Sequence, residues 1–425
     1  MLAWYDEAQW ESLGRVARGA GTLPWEENMQ TEDYLMCPGP NDIADRVLRA
    51  MVRPAACPVF DEFQEFYEQT IDMLAEVFQT SNQVAVLPGS GRSGLEAALT
   101  SVIEPGERSL TVVSGQFGEL AMRIVDGVGG KAEGFSVPWG EPIDLEALAQ
   151  KIASGSYKLV TMVHNETSTG SLYEAAAIAR MAHDHGALFL LDAISSLAGA
   201  DLPTDVWQVD LAVSCSHKAV GAPIGHAYVA VSERAWDAMA NRRQPCGSVF
   251  GNLMHWKAQP DETATGGRTL KRPQGVFSAV HLFYGLHEAL TMILEEGLEA
   301  RFARHQHNAA AFRAGIEALG LPLLAHPSVV SPTVSCVRLP EGLTAQAFLA
   351  QLRQEHGIAT LPGLGEYRTS AVRIGHMGVT ATPRNIFHAL HAFERILARA
   401  GHQHTPGAGM ARAAEVYAEA EALTP

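Results

Sequence analysis

Between about residue 60 and residue 232 the apolar positions switch repeatedly between two periods. From Phe60 to Phe78 they recur at helical spacing, which predicts an amphipathic helix. Short apolar runs follow: VAVL (84–87), LTVV (110–113), EGFSV (133–137), KLVTMVH (158–164), ALFLLD (187–192), DLAVS (210–214) and HAYVAVS (226–232). Most are separated by helical stretches, namely SGLEAALTSV (93–102), 117–128, DLEALAQKI (144–152) and AAAIARMAHDH (175–185). Continuous apolar strands alternating with helices predict a mainly parallel sheet covered on both faces.

The pattern changes after residue 245. Residues 245–275 are rich in Gly, Pro, Thr and polar side chains, and a loop of that length is usually functional or mobile. Helices are expected at 277–296 and 298–319, a strand at TVSCVRL (333–339), a helix at 344–357, a strand at AVRIG (371–375), a helix at 385–400 and a helical tail at 408–423. The expectation is an α/β protein. Residues 1–45 form an N-terminal arm carrying Trp4, Trp10 and Trp25, residues 46–293 a large domain, and residues 294–425 a smaller C-terminal α/β domain with the helical tail.

Composition narrows the function. The 425 residues are 47% hydrophobic, and Lys plus Arg (31) minus Asp plus Glu (47) gives a net charge of −16. That charge disfavours nonspecific nucleic-acid or anionic-membrane binding. No apolar run is long enough to span a bilayer, and the acidic, aromatic start MLAWYDEAQW does not read as a signal peptide. The five cysteines include no CxxC pair, which fits a reducing cytoplasm and no metal site. The HxH pairs at 183–185, 305–307 and 402–404 are spaced i, i+2, so they do not share a helix face.

Five candidates carry chemistry. Lys218 follows an apolar strand, where lost solvation makes its amine a nucleophile able to form a Schiff base; alone, it also reads as a surface lysine. Asp192 ends ALFLLD, as a buried acid in need of a cation or as a helix N-cap. The turn PGSGRSG (88–94) offers glycine amides, Ser90, Gly91 and Arg92 to a phosphate. It also matches GxGxxG, but the next strand ends at Ser114 rather than in the acid that a dinucleotide site uses. In His164–Gly170, Thr167 is placed to donate to a ring substituent and Glu166 and His164 to order a floor; a plain turn is the alternative. Arg373 suits bidentate carboxylate capture, or a structural ion pair. No GxSxG elbow supports a serine nucleophile.

The order of these segments is more telling than any one of them: PGPNDI (38–43), VFQT (77–80), the glycine turn, Phe117 after a strand, HNETSTG, LFLLDAISS, SCSHK, VRIGHMG. It resembles the class V aminotransferases of the fold-type I pyridoxal-phosphate family, in particular the alanine/serine:glyoxylate branch. The resemblance implies that Lys218 binds pyridoxal 5′-phosphate and shuttles the proton, that Asp192 pairs with the ring nitrogen and that Phe117 stacks on the ring. It puts Ser90, Gly91, Arg92 and His217 at the phosphate, Thr167 at the ring hydroxyl, and Arg373 with the backbone near Gly39 at the substrate carboxylate. It implies a cytoplasmic homodimer with its site between subunits, moving an amino group from an alanine-, serine- or ureidoglycine-type donor to glyoxylate or pyruvate by ping-pong kinetics. A lyase such as a cysteine desulfurase, an aminophosphonate transaminase and a non-catalytic nucleotide or cofactor binder are the competing readings. The branch brings a Tyr and a Thr from the neighbouring subunit to the phosphate. Here those places fall near Gln274 and Phe277, and Arg268, Thr269, Lys271 and Arg272 are the candidate substitutes.

Overall fold

The computed structural model describes residues 34–260, 269–270 and 279–423. The tryptophans of the arm, Arg268, Lys271, Arg272, Gln274 and Phe277 lie outside the described residues. The chain starts with a short strand β1 (Tyr34–Leu35) and helices α1 (Asp45–Met51) and α2 (Asp61–Val77). It then alternates: β2 (Gln83–Gly89), α3 (Gly91–Val102), β3 (Arg108–Val113), α4 (Gln116–Gly127), β4 (Lys131–Ser136), α5 (Leu145–Ser154) and β5 (Leu159–Val163). A two-strand turn, β6 (Asn165–Glu166) and β7 (Ser171–Leu172), leads into α6 (Ala176–Asp184) and β8 (Leu188–Asp192). β9 (Leu211–Cys215), β10 (Gly225–Val231) and α7 (Glu233–Ala240) complete this half.

The seven runs read as strands form one seven-stranded sheet in the order β2-β10-β9-β8-β5-β3-β4. Only β10 runs against its neighbours, β2 and β9. Alternate residues of one strand feed opposite faces. Val84 and Val86 of β2 join one buried cluster with Phe189, Leu191 and Tyr228, whereas Ala85 and Leu87 join another with Leu190, Val213 and Val229. This two-sided burial is why strands such as LFLLD are apolar throughout rather than alternating.

Beyond the long loop, α8 (Val280–Glu296) packs on the first cluster through Phe283, Leu286 and Leu290. Helix α9 (Leu298–Ala318) leads to β13 (Val334–Arg338), preceded by a small pair, β11 (Gln259–Pro260) and β12 (Thr269–Leu270). Helix α10 (Ala345–His356), β14 (Ile358–Ala359), β15 (Leu361–Pro362), β16 (Ala371–Gly375), α11 (Pro383–Arg399) and α12 (Ala408–Leu423) follow. β13, β16 and β15 form a three-stranded sheet, and Phe312, Phe348, Ile374 and Phe393 form its core. The end of the expected arm is drawn into this part: β1 lies parallel to β14, and Gly375 N donates to the Met36 carbonyl at 2.7 Å.

Sequence-based reading missed α1, α7 and the two-residue strands, which are too short to carry a period. Leu190 lies fully buried in the middle of the central strand β8. Replacing it with alanine is expected to cost about 2–5 kcal/mol through lost transfer energy and a residual cavity. A lower urea midpoint at unchanged slope is the expected result.

Candidate active site

The parallel strands β2, β9, β8, β5 and β3 end on one edge of the sheet, and the candidate residues follow those ends. In α/β sheets that edge is where ligands bind. A cavity of about 260 Å³ opens there, lined by Gly39, Ser90, Gly91, Arg92, Phe117, Thr167, Asp192, His217 and Lys218, together with Asn165, Ile194 and Ser195. Arg373 is not among its lining residues. It lies behind the wall, buried on β16, with Nε donating to the Pro362 carbonyl at 2.8 Å and Nη1 to the Thr167 carbonyl at 3.5 Å. A larger recess of about 850 Å³, between α3 and residues 242–251, holds none of these residues.

Lys218 sits in the turn between β9 and β10 and is 9% exposed. Its Nζ donates to the Pro38 carbonyl. Burial, together with the nearby Arg373 charge, pushes its pKa down to about 8. The backbone of residues 38–41 crosses directly over it. A Cβ on Gly39 would lie 2.5 Å from Nζ, and Gly39 has φ +128°, so both space and conformation demand glycine there.

Asp192 is the last residue of β8. Its Oδ1 accepts from the Ile194 amide at 2.9 Å. Among the described residues no cation lies within ion-pair distance of it. Burial pushes its carboxyl up to about 7, and the Glu166 charge adds to the rise. The helix-cap reading therefore fails: Asp192 bonds the amide two residues on, but no helix starts there.

The glycine turn leads from β2 into α3. Ser90 is the N-cap, yet its side chain makes no capping bond, which leaves the hydroxyl available. A Cβ on Gly91 would meet Ile194 at 2.6 Å. Gly91 thus lets the helix start approach the Asp192 turn. His217 lines the cavity as a neutral ring, its pKa pushed down to about 4 by burial, then by Lys218.

Glu166, fully buried, works through its neighbours. Oε1 accepts from the amide and hydroxyl of Ser168, and Oε2 from the Phe117 amide at 3.3 Å. It thereby ties the start of α4, and with it the Phe117 ring, to the HNETSTG turn. Thr167 Oγ1 pairs with Ser195 Oγ at 2.6 Å. His164 lies one layer back, bonded to Ser196 Oγ at 2.9 Å.

Sequence reasoning missed Asn165, Ser195 and the Pro38 carbonyl. Asn165 and Ser195 stand inside quoted motifs, but nothing in the sequence marks them as facing the cavity. Asn165 Nδ2 donates to Thr333 Oγ1 at 3.1 Å; its buried Oδ1, like His217 Nδ1, has no partner among the described residues.

Two competing readings lose support here. The GxGxxG turn follows an edge strand, β2, whose one neighbour is the antiparallel β10, so it is not part of a dinucleotide-type βαβ unit. Cys336 is fixed in β13 at 1% exposure with its thiol pushed up to about 12 by burial, the opposite of a mobile desulfurase thiolate.

Comparison with known proteins agrees with this architecture. The family described as aminotransferase class-V matches residues 49–387. The chain is 32% identical over 404 residues to the (S)-ureidoglycine–glyoxylate transaminase of Bacillus subtilis, covering 91% of this chain and 95% of that protein. It is 33% identical to the pyridoxamine–pyruvate transaminase of Mesorhizobium japonicum, covering 89% of this chain and 95% of the relative. The crystal structure of the Bacillus subtilis ureidoglycine–glyoxylate aminotransferase superposes with a TM-score of 0.85, covering 94% of this chain and 100% of that one. A chain with this fold and this extent of similarity belongs to the class V aminotransferases, and it is a pyridoxal 5′-phosphate-dependent transaminase of fold type I.

Proposed function

We propose that the cavity around Lys218 moves an amino group from a small amino acid of the alanine, serine or ureidoglycine type to glyoxylate or pyruvate in two half-reactions. The observation that carries this reading is the placing of Lys218 and Asp192. They stand at the ends of adjacent strands, face one cavity, and are buried without an ion-pair partner among the described residues.

The wall fits the cofactor. Ser90, the amides of Gly91 and Arg92 at the start of α3, the Arg92 side chain and the unpaired His217 Nδ1 would hold the phosphate. Phe117 would cover a ring face. The Thr167–Ser195 hydroxyl pair would serve the ring hydroxyl, and Asp192 would take the ring nitrogen. Ligand sites commonly span about 300–1,000 Å³, and this space of about 260 Å³ suits a small ligand such as a single ring with its phosphate. When bound, pyridoxal 5′-phosphate supplies an aldehyde that condenses with amines and a ring that holds the electron pair left when the α-proton departs.

The protein groups have distinct tasks. A Lys218 amine with pKa near 8 is partly neutral at working pH, so it can attack a carbonyl and later accept the α-proton and return it. Asp192, when ionised, would keep a proton on the ring nitrogen. Arg373 would take the substrate carboxylate, with the backbone at Gly39 beside it, once its bond to the Thr167 carbonyl yields.

The wider assignments belong to the same proposal. Residues 46–293 would act as the cofactor-binding domain and residues 294–425 as the smaller one; their separate buried clusters support the division. Exposed Val249 and Phe250, beside the large recess, support burial against a second copy in a homodimer. Five free cysteines support a cytoplasmic setting.

Borohydride reduction of the cofactor-loaded protein should fix the label on Lys218, and Lys218→Ala should lower kcat by roughly 10⁴-fold or more. Labelling elsewhere, or near-normal turnover, would sink the proposal. The rate at which cofactor-free protein captures the aldehyde should rise with pH and level off above about 8, because only the neutral amine attacks; a lysine near its ordinary value of 10.5 would keep gaining rate beyond that. Asp192→Asn should weaken turnover yet stabilise the cofactor-free protein in mild alkali. The folded carboxyl, near 7, holds its proton more tightly than the unfolded one, near 3.8. The wild type is therefore penalised in full above pH 7, and the penalty fades as pH falls towards 3.8. Thermal melts of both proteins across that range test the sign.

A further inference from the structure

Arg301 lies in the first turns of α9 and is 6% exposed. It is not among the residues lining the Lys218 cavity, and none of the steps above uses it. Each arm of its guanidinium is nevertheless occupied. Nε donates to the Ala198 carbonyl at 2.8 Å, Nη2 to the Ala219 carbonyl at 2.6 Å, and Nη1 to Glu296 Oε2 at 2.8 Å. Ala219 directly follows Lys218. Ala198 ends the tight turn that begins at Asp192, in which Leu197 N bonds the Ala193 carbonyl and Gly199 N the Ser196 carbonyl. Ala198 also holds φ +63°, a left-handed conformation that alanine seldom adopts. One rigid, planar group thus bridges the two turns that carry the candidate acid and the candidate amine.

The same helix secures a third segment. Arg304 Nη1 donates to the carbonyls of Gly378 and Ala381 at 2.9 and 2.8 Å, and His305 Nε2 accepts from the Gly378 amide at 2.9 Å. Gly378 lies just beyond β16, which carries Arg373. His305 Nδ1 donates to the Arg301 carbonyl at 2.8 Å, and Glu296 accepts from both arginines, so the three side chains form one clasp. Lysine could not reproduce it: a single ammonium cannot present two coplanar donors to carbonyls on separate turns.

We propose that Arg301 is a positioning residue for transamination, whose guanidinium fixes the spacing between the Asp192 turn and the Lys218 turn. This rests on the reading that Lys218 and Asp192 are the working pair. Arg301 acts through both of them and meets neither substrate nor cofactor.

The test uses Arg301→Lys and Arg301→Ala as cofactor-loaded, full-length proteins beside the wild type. A misplacement of the reacting groups should lower kcat by about tenfold or more while KM moves by less than about threefold. The pH midpoint of the bound cofactor's absorbance should shift in both variants, because it reads the surroundings of Lys218 and Asp192. Methylguanidinium should restore part of kcat and of the midpoint in Arg301→Ala, and methylammonium should not. A wild-type kcat and midpoint in Arg301→Lys would overturn the proposal. So would a loss that only tracks the fraction of protein that is folded and loaded. Should Arg301→Ala fail to fold, Arg301→Lys decides alone. Borohydride labelling separates this proposal from the one beneath it. A wild type not labelled at Lys218 removes the working pair itself, whereas normal labelling with unchanged variants removes only the role of Arg301.

Discussion

Two charged groups of opposite sign are buried in this protein without being allowed to neutralise each other. Taking an ammonium or a carboxylate out of water costs several kcal/mol, and a chain normally recovers that by pairing them. Lys218 instead donates to the Pro38 carbonyl, and Asp192 accepts, among the described residues, from a backbone amide. Burial pushes the amine's pKa down to about 8 and the carboxyl's up to about 7, so each can change charge near working pH. The rest of the site can be understood as what keeps this arrangement from relaxing: stiff strands beneath, turns braced from behind, and a backbone segment across the top.

That bracing comes from several directions. Glu166 seats the start of α4 against the HNETSTG turn. Thr333, just before β13, accepts from Asn165 and donates to the Ser195 carbonyl, so one hydroxyl joins two walls of the cavity to the three-stranded sheet. Residues 36–41 bond to that sheet at one end and to the Lys218 turn at the other, through Asn41 N and the His217 carbonyl. The sheet bearing Arg373 and the sheet bearing Lys218 are therefore linked by polar contacts that are themselves buried. Such contacts are costly to break singly and hold geometry well.

How much of this was legible beforehand follows from the range of the signals. Six of the seven strands were readable because burial on both faces leaves mostly apolar runs, whereas β4, at the sheet edge, is largely uncovered; the longer helices were readable because their period is local. Lys218, Asp192 and the glycine turn stood out since each directly follows such a run, and their order along the chain pointed to the family. The antiparallel course of β10 was not readable, because HAYVAVS has the same composition in either direction. Nor was the passage of Gly39 over Lys218, which joins positions 179 residues apart. Arg301 looked like any helical arginine, since its partners are carbonyl groups that no sequence pattern displays. Arg373 was recognised as a carboxylate candidate, but its present engagement with the Thr167 carbonyl was not foreseeable.

The reversed strand has a consequence for how this site can change. The chain after β2, β5 and β8 runs on into turns and helices rather than straight back into the sheet. The Lys218 loop returns at once into the same sheet, with Cys215 opposite Ala227 at its base. A length change that the nine residues 216–224 did not absorb would slip β10 by one position against both β9 and β2. Since strand side chains alternate, that slip would turn Tyr228 and Val229 towards each other's faces and disturb both cores together. The turn that carries Lys218 is thus tied, through the register of β10, to packing on both faces of the sheet.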